Sequence, residues 1–158
     1  MERTKRVAAG DCTSVEDLHQ AICLDAAENL DANLVSIWRF DQNYSKIICL
    51  HALDVESGTT SAGQELMRDD FPRYFESILE ETTISAPDAR THPMTRELTE
   101  AYFVPNEIIS LLDFVTHSNL KPVGVIRCES KRKRRNWSEE DRQYILSLAA
   151  YASFQAVV

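Results

Sequence analysis

The chain has 158 residues, 44% of them hydrophobic and 27% charged, which is enough for one domain with its own core. Its formal charge is -8 and its pI is near 5.0, which argues against a general nucleic-acid binder because phosphate contacts need a positive surface. No apolar run approaches the roughly 20 residues of a membrane span, and no apolar core follows the charged N-terminus as a secretory signal would require.

Residues 1–12 are polar and read as a tail, leaving 13–158 as a single domain. Thr13-Ser14-Val15-Glu16 matches a capping box in which Thr13 and Glu16 satisfy each other's free amides. Val15, Leu18, Ile22, Ala26 and Leu30 follow at helical spacing, so a helix is predicted over 14–31. Leu34 to Phe40 is β-branched and aromatic, Asp41 to Ser45 has turn composition, and Lys46 to Asp54 is a second strand, together an antiparallel hairpin. Residues 55–68 hold two of the four glycines and read as a loop with room for a short strand.

Asp69-Asp70-Phe71-Pro72 is predicted to open a helix, with acids in its first turn and Phe71, Phe75, Ile78 and Leu79 as its apolar stripe. A short strand over Thr82–Ser85, a loop over Pro87–Pro93 and a short helix over Thr95–Phe103 follow. Ile108–Val115 and Lys121–Ser130 read as strands joined through His117-Ser118-Asn119-Leu120. Ser138 is a good N-cap, and Glu139, Glu140 and Asp141 suit the positive end of a final helix. That helix has no stop signal before the last residue, so it either frays there or continues into another domain. Ile145, Leu148, Ala149, Ala152 and Ala156 form one stripe of it; Leu146, Ala150, Phe154 and Val157 form a second. Two stripes point to a second partner, most simply the same helix of another subunit, against the alternative of deep burial in one monomer. Strands joined by hairpins imply an antiparallel sheet, with the terminal helices on one face and the middle segment on the other.

The ordered set Leu34-Val35-Ser36-Ile37-Trp38-Arg39-Phe40-Asp41, Ile84-Ser85-Ala86-Pro87-Asp88-Ala89-Arg90, Ile109-Ser110-Leu111-Leu112-Asp113, Val123-Gly124-Val125-Ile126-Arg127-Cys128-Glu129 and Trp137-Ser138-Glu139-Glu140-Asp141 resembles a GAF domain. It is similar to the bacterial signalling subgroup found beside histidine kinase and diguanylate cyclase modules. The resemblance covers about residues 15–158. It implies an α+β GAF-like fold with a central six-stranded antiparallel sheet, terminal helices on one face and a ligand-pocket segment on the other. It further implies a homodimer through the N- and C-terminal helices, and a kinase or cyclase as effector. Fold does not name the ligand, so the cofactor stays unknown.

Strand alternation allocates the faces independently. Ile126 and Cys128 are predicted to meet the terminal helices, which turns Arg127 and Glu129 toward the pocket. Val35 and Ile37 belong with the helices, Ser36 and Trp38 with the pocket. The resemblance agrees for Ser36, whose counterpart touches ligand in cyclic-nucleotide-binding relatives. Ile47, Cys49 and His51 share one face. For the strand holding Asp113, alternation leaves open whether Leu111, Asp113 and Val115 or Ser110, Leu112 and Phe114 point inward. Asp88, Arg90, Thr91 and Tyr102 lie in the segment that forms the pocket lid in the family. The expected ligand site is therefore drawn from Ser36, Trp38, Cys49, His51, Asp88, Arg90, Tyr102, Asp113, Arg127 and Glu129, a half-polar cavity for a small polar or zwitterionic ligand or a stacking ring. The alternative is a structural charge network with no ligand, since buried charges pair whatever their function.

No catalytic or metal residue is assigned, and a regulatory rather than an enzymatic role is expected. Among GAF enzymes, free-methionine-sulfoxide reductases need pocket cysteines within reach of one another. Here Cys49 and Cys128 are predicted on opposite faces, with Cys12 and Cys23 in the N-terminal segment. The four form neither a Cys-x-x-Cys pair nor a zinc spacing, and a reduced cytoplasmic setting is expected. No Cys-His dipeptide offers bilin attachment, Cys49-x-His51 lacks further metal partners, and His19, His92 and His117 are read as isolated and exposed. The basic run Lys131 to Arg135 reads as a solvated turn offsetting the acidic helix start rather than as a nucleic-acid patch.

Overall fold

The computed structural model describes residues 12–152, and its elements follow from local chemistry. Helix α1 runs Val15–Leu30 and strands β1 and β2 run Leu34–Phe40 and Lys46–Asp54. The α1 cap sits one residue later than the sequence predicts: Ser14, extended at its own backbone, accepts from the Asp17 N–H at 3.0 Å, and Asp17 in turn accepts from the Thr13 hydroxyl at 2.7 Å. Val15 is consequently exposed, while Ile22, Ala26 and Leu30 are fully buried.

Two short strands, β3 (Thr59–Ser61) and β4 (Glu65–Met67), both pair antiparallel with β2. Gly63, at a positive φ of 93°, turns the chain between them and donates to the Cys49 carbonyl at 2.8 Å. Helix α2 (Pro72–Glu80) starts with proline at its first position; Asp69 and Asp70 lie in the turn before it and not in its first turn. Strand β5 (Thr83–Ala86) comes next. Where one short helix is predicted over 95–103, a 3-10 turn (Arg96–Leu98) passes into a π-helical turn (Thr99–Phe103).

Strands β6 (Ile108–Ser118) and β7 (Lys121–Lys131) form a hairpin closed by only Asn119 and Leu120, both at positive φ. This is the backbone that suits the right-handed twist of the flanking strands. Helix α3 (Glu139–Ala149) is capped by Ser138 and Asp141 in a reciprocal box. It ends well before the last residue, contrary to the sequence expectation. Leu148 is its last fully buried side chain, and the next amides bond three residues back, closing the helix with a tight turn. The stripe members Phe154, Ala156 and Val157 lie outside the described residues.

The strand order is β3-β2-β1-β7-β6-β5, antiparallel throughout, with β4 beside β3 on β2. One core packs α1 and α3 on the sheet through Ile22, Leu30, Val35, Ile37, Ile126, Cys128, Ile145 and Leu148. The other face packs Trp38, Ile47 and Cys49 against Tyr74, Phe75, Ile78, Leu98 and Phe103. The sheet thus carries two cores back to back.

The basic run is a turn exposed at Arg132, Lys133 and Arg134, as the sequence predicts, but most of it is paired. Lys131 pairs with Asp54 at 3.1 Å, Arg132 with Glu56 and Glu107, and Lys133 with Asp31 at 3.8 Å. Arg135 donates twice to the Leu30 carbonyl, at 3.1 and 3.0 Å, and stacks 5.2 Å from the Trp137 ring. The run clasps the C-terminal end of α1, where carbonyls lack intrahelical partners and cations are favoured.

Candidate functional site

On β7, Arg127 and Glu129 face away from the helices, as alternation predicts, and both are fully buried. Asp113 joins them, because β6 turns Leu111 and Val115 to the same side and sends Leu112 and Phe114 to the helices. Arg127 Nε donates to Asp113 Oδ1 at 2.9 Å. The Tyr74 hydroxyl donates to Asp113 Oδ2 at 2.5 Å and also contacts Arg127 Nη2. The guanidinium sits 5.2 Å from the Trp38 ring centre, 5.4 Å from Tyr74 and 5.3 Å from Tyr102. Burial works against its charge, but Asp113, Tyr74, Tyr102 and Glu129 together outweigh that and hold the Arg127 pKa well above its ordinary value. This box is a packed ion pair, and α2 supplies a member, Tyr74, that sequence reasoning treats as outside the site. The aromatic four residues after Asp70, the third residue of the helix, is the only signal for it in the sequence.

A cavity of about 410 Å³ opens beside the box. Its floor is Leu34, Val35, Ser36 and Trp38 of β1, Ala52 and Asp54 of β2, and Glu129 of β7. Its wall is Thr59, Ser61, Gln64, Glu65 and Leu66 around β3 and β4, and its lid is Ala101, Tyr102 and Asn106. The Trp38 indole N–H donates to Ser36 Oγ at 2.7 Å, fixing the ring. The Tyr102 hydroxyl donates to Glu129 Oε1 at 2.7 Å, tying lid to floor. Burial pushes the Glu129 carboxyl from 4.5 up to about 7, against the opposing pull of Arg127 and the Tyr102 hydroxyl. Burial likewise raises the Tyr102 and Tyr74 phenols.

Of the ten residues read from the sequence, the cavity brings together Ser36, Trp38, Tyr102 and Glu129. Arg127 and Asp113 stand behind it in the ion-pair box. Cys49 is on the same side of the sheet but is packed into the apolar core, and burial pushes its thiol up to about 12. His51 is a correction: it lies on the helix side. Trp38 pairs with Cys49 and Ile37 with His51, so Leu50 is an extra residue, and the bulge reverses the alternation beyond it. The His51 Nε2 then meets Gln20 of α1, and burial lowers its pKa. Asp88 and Arg90 are corrections too. Asp88 is exposed and spends its carbonyl on the turn after it, and Arg90 donates to the Ile108 carbonyl at 2.9 Å, tying the loop to β6. His19, expected to be exposed, is buried on α1, whereas His117 is exposed as expected. Cys12, Cys23, Cys49 and Cys128 are all free thiols, Cys49 and Cys128 lie in opposite cores, and none lines the cavity. No group of acidic, histidine or cysteine side chains among the described residues is arranged to hold a metal, and no helix there is long and apolar enough to cross a membrane.

A helix-backed antiparallel sheet whose other face carries a lidded cavity is the architecture of the GAF fold, and solved structures agree. The chain is similar to the GAF domain of an Acinetobacter phosphoenolpyruvate-protein phosphotransferase at 17% identity and TM-score 0.65, over 92% of this chain and 84% of that one. It is similar to the chromophore-binding domain of a Stigmatella aurantiaca bacteriophytochrome at 14% identity and TM-score 0.70, over 91% of this chain and 54% of that one. It also matches the PixJ GAF domain of Thermosynechococcus elongatus at 15% identity and TM-score 0.63, over 85% and 80% of the two chains. No family model and no curated protein matches the sequence. The chain has the GAF fold.

Proposed function

We propose that this chain is a sensory, non-catalytic GAF module that binds a small molecule in the cavity under Tyr102 and passes the event to its terminal helices. The single observation that carries this reading is the cavity of about 410 Å³ with the buried Glu129 in its lining, a volume suited to a metabolite-sized ligand. Transmission has a short path. Strand β7 holds Glu129 toward the cavity and Ile126 and Cys128 in the helix-side core. On that side α1 and α3 are joined by Asn29 donating to the Tyr144 hydroxyl at 2.9 Å. A ligand shifts output only by preferring one of two helix arrangements.

The output is a homodimer through the terminal helices, supported by the exposure of Leu146, at 50%, on α3 and of Tyr151, at 40%, in the turn just after it. A kinase or cyclase module is the natural effector, in keeping with the phosphotransferase and phytochrome chains that carry similar domains. The free cysteines suit a reducing cytoplasm. The paired basic run speaks against nucleic acid, and a cavity without cysteine speaks against sulfoxide-reductase chemistry.

Native mass spectrometry of the purified chain, with a thermal-shift screen of metabolites, tests the reading. A co-purified mass, or a rise of several degrees at saturating ligand, is expected. Unchanged melting across a broad panel would favour a second reading, a ligand-free dimerisation module. The ion-pair box gives that reading its footing, because Arg127 and Asp113 already neutralise each other's charge.

A further inference from the structure

The charges beside the cavity do not cancel. Arg127 and Asp113 neutralise each other at 2.9 Å. The rim acids are each held by a lysine, Asp54 by Lys131 at 3.1 Å and Glu65 by Lys46 at 2.7 Å. Glu129 is fully buried and receives one hydrogen bond, from Tyr102 to Oε1. Its Oε2 has no hydrogen-bond partner among the described residues; Arg127 Nη1, on the same face of β7 but outside the lining, has none either. Buried polar atoms are ordinarily paired, so an orphaned carboxylate oxygen in a cavity lining marks a place where a donor belongs.

The surroundings say what kind of donor. Three carboxylates and no lysine, arginine or histidine line the cavity. Arg127 does not reverse this, because it is outside the lining and packed among the rings of Trp38, Tyr74 and Tyr102. The groups that act on the Glu129 charge are Tyr102 from the lid, Arg127, Cys128 and Lys131 from its own strand, Asp113 from β6 and Cys49 from β2. None of them gives Oε2 a hydrogen bond. An anion entering here would find no cationic side chain in the lining and would keep Glu129 from ionising, whereas a cation would complete the site.

We propose that the ligand is a small organic nitrogen cation whose N–H groups donate to Glu129 Oε2, and that carboxylates and phosphate esters are rejected. The inference rests on the cavity being a ligand site. On binding, a proton held by Glu129 leaves to solvent and the ligand's cation takes its place. Burial raises the Glu129 carboxyl to about 7, so a share of it holds a proton near neutral pH, which is compatible with that exchange.

Three isosteric probes separate the possibilities: benzamidine, benzamide and benzoate, titrated into the full chain and followed by calorimetry and by the NMR signal of the Trp38 indole N–H. Benzamidine is expected to bind about tenfold or more tightly than benzoate, with benzamide between them. Glu129→Gln is expected to lower benzamidine affinity by about tenfold while sparing benzamide. The wild-type ranking stands by itself if that variant folds poorly. Benzoate binding as well as benzamidine overturns the charge class and leaves the cavity as a ligand site. Failure of all three at millimolar concentration overturns the inference, and the metabolite screen then decides separately whether the site binds anything.

Discussion

Two buried residues of β7 carry opposite kinds of consequence. Arg127 is an ion-pair partner whose loss strands Asp113 in the core. Arg127→Met is expected to destabilise the chain by about 3–5 kcal/mol, and Asp113→Leu by a similar amount. The double variant should cost clearly less than the sum, because no charge is left unpaired. Urea denaturation of the four proteins measures this, and strict additivity would mean that the pair is not coupled. Glu129 is a different case. Its folded pKa stands at about 7 against an ordinary 4.5, so the folded chain holds the proton more tightly than the unfolded one. The stability it contributes is fully present below 4.5 and is lost as pH rises toward about 7, on the order of 3 kcal/mol in all. Glu129→Gln cannot ionise. Its stability relative to wild type should therefore rise between about pH 4 and pH 8, read from denaturation midpoints at the two ends. A constant difference would place the Glu129 pKa near its ordinary value.

At the scale of elements, the two-residue turn between β6 and β7 offers a clean substitution. Leu120 is 97% exposed and held at φ 67°, a conformation that costs a residue with Cβ about 1–2 kcal/mol. Glycine accepts it freely but loses more entropy on folding. Leu120→Gly is expected to stabilise the chain by about 0.5–1 kcal/mol, seen as a melting point higher by about 1–3 °C. No change, or a loss, would show that this turn is not strained. The elements also show where sequence reading succeeds. The bounds of β1 and β2 match residue for residue, because β-branched runs flanked by turn residues are a local signal. Both faces of β7 were legible for the same reason. His51 was not, since one extra residue at Leu50 reverses every side chain after it, and the bulge is defined by its pairing with β1 rather than by its own sequence. The end of α3 was not legible either, because its stop comes from where the sheet ceases to bury it.

For the molecule as a whole, the two cores divide labour between a cavity face and a helix face. Leu146 is the largest apolar side chain left exposed on α3 proper. If the helices form the dimer, Leu146→Glu should shift the chain from dimer to monomer in sedimentation, with its melting point nearly unchanged because the residue buries little within one chain. A wild-type chain that is monomeric at all concentrations would remove the dimer from the proposed output. The sequence alone determined the α+β order of elements and the faces of β1 and β7, since helical and strand periods are properties of neighbours in the chain. It brought Arg127 and Glu129 to the inner face for the same reason. Only the tertiary structure decided that Arg127 pairs with Asp113 and Tyr74 behind the cavity while Glu129 enters its lining, each keeping one buried polar atom without a partner. Those partners stand 14, 53 and 27 residues away along the chain. No local pattern specifies contacts made across such separations, and the packing of the lid and α2 on the sheet is what separates an ion pair from a candidate binding site.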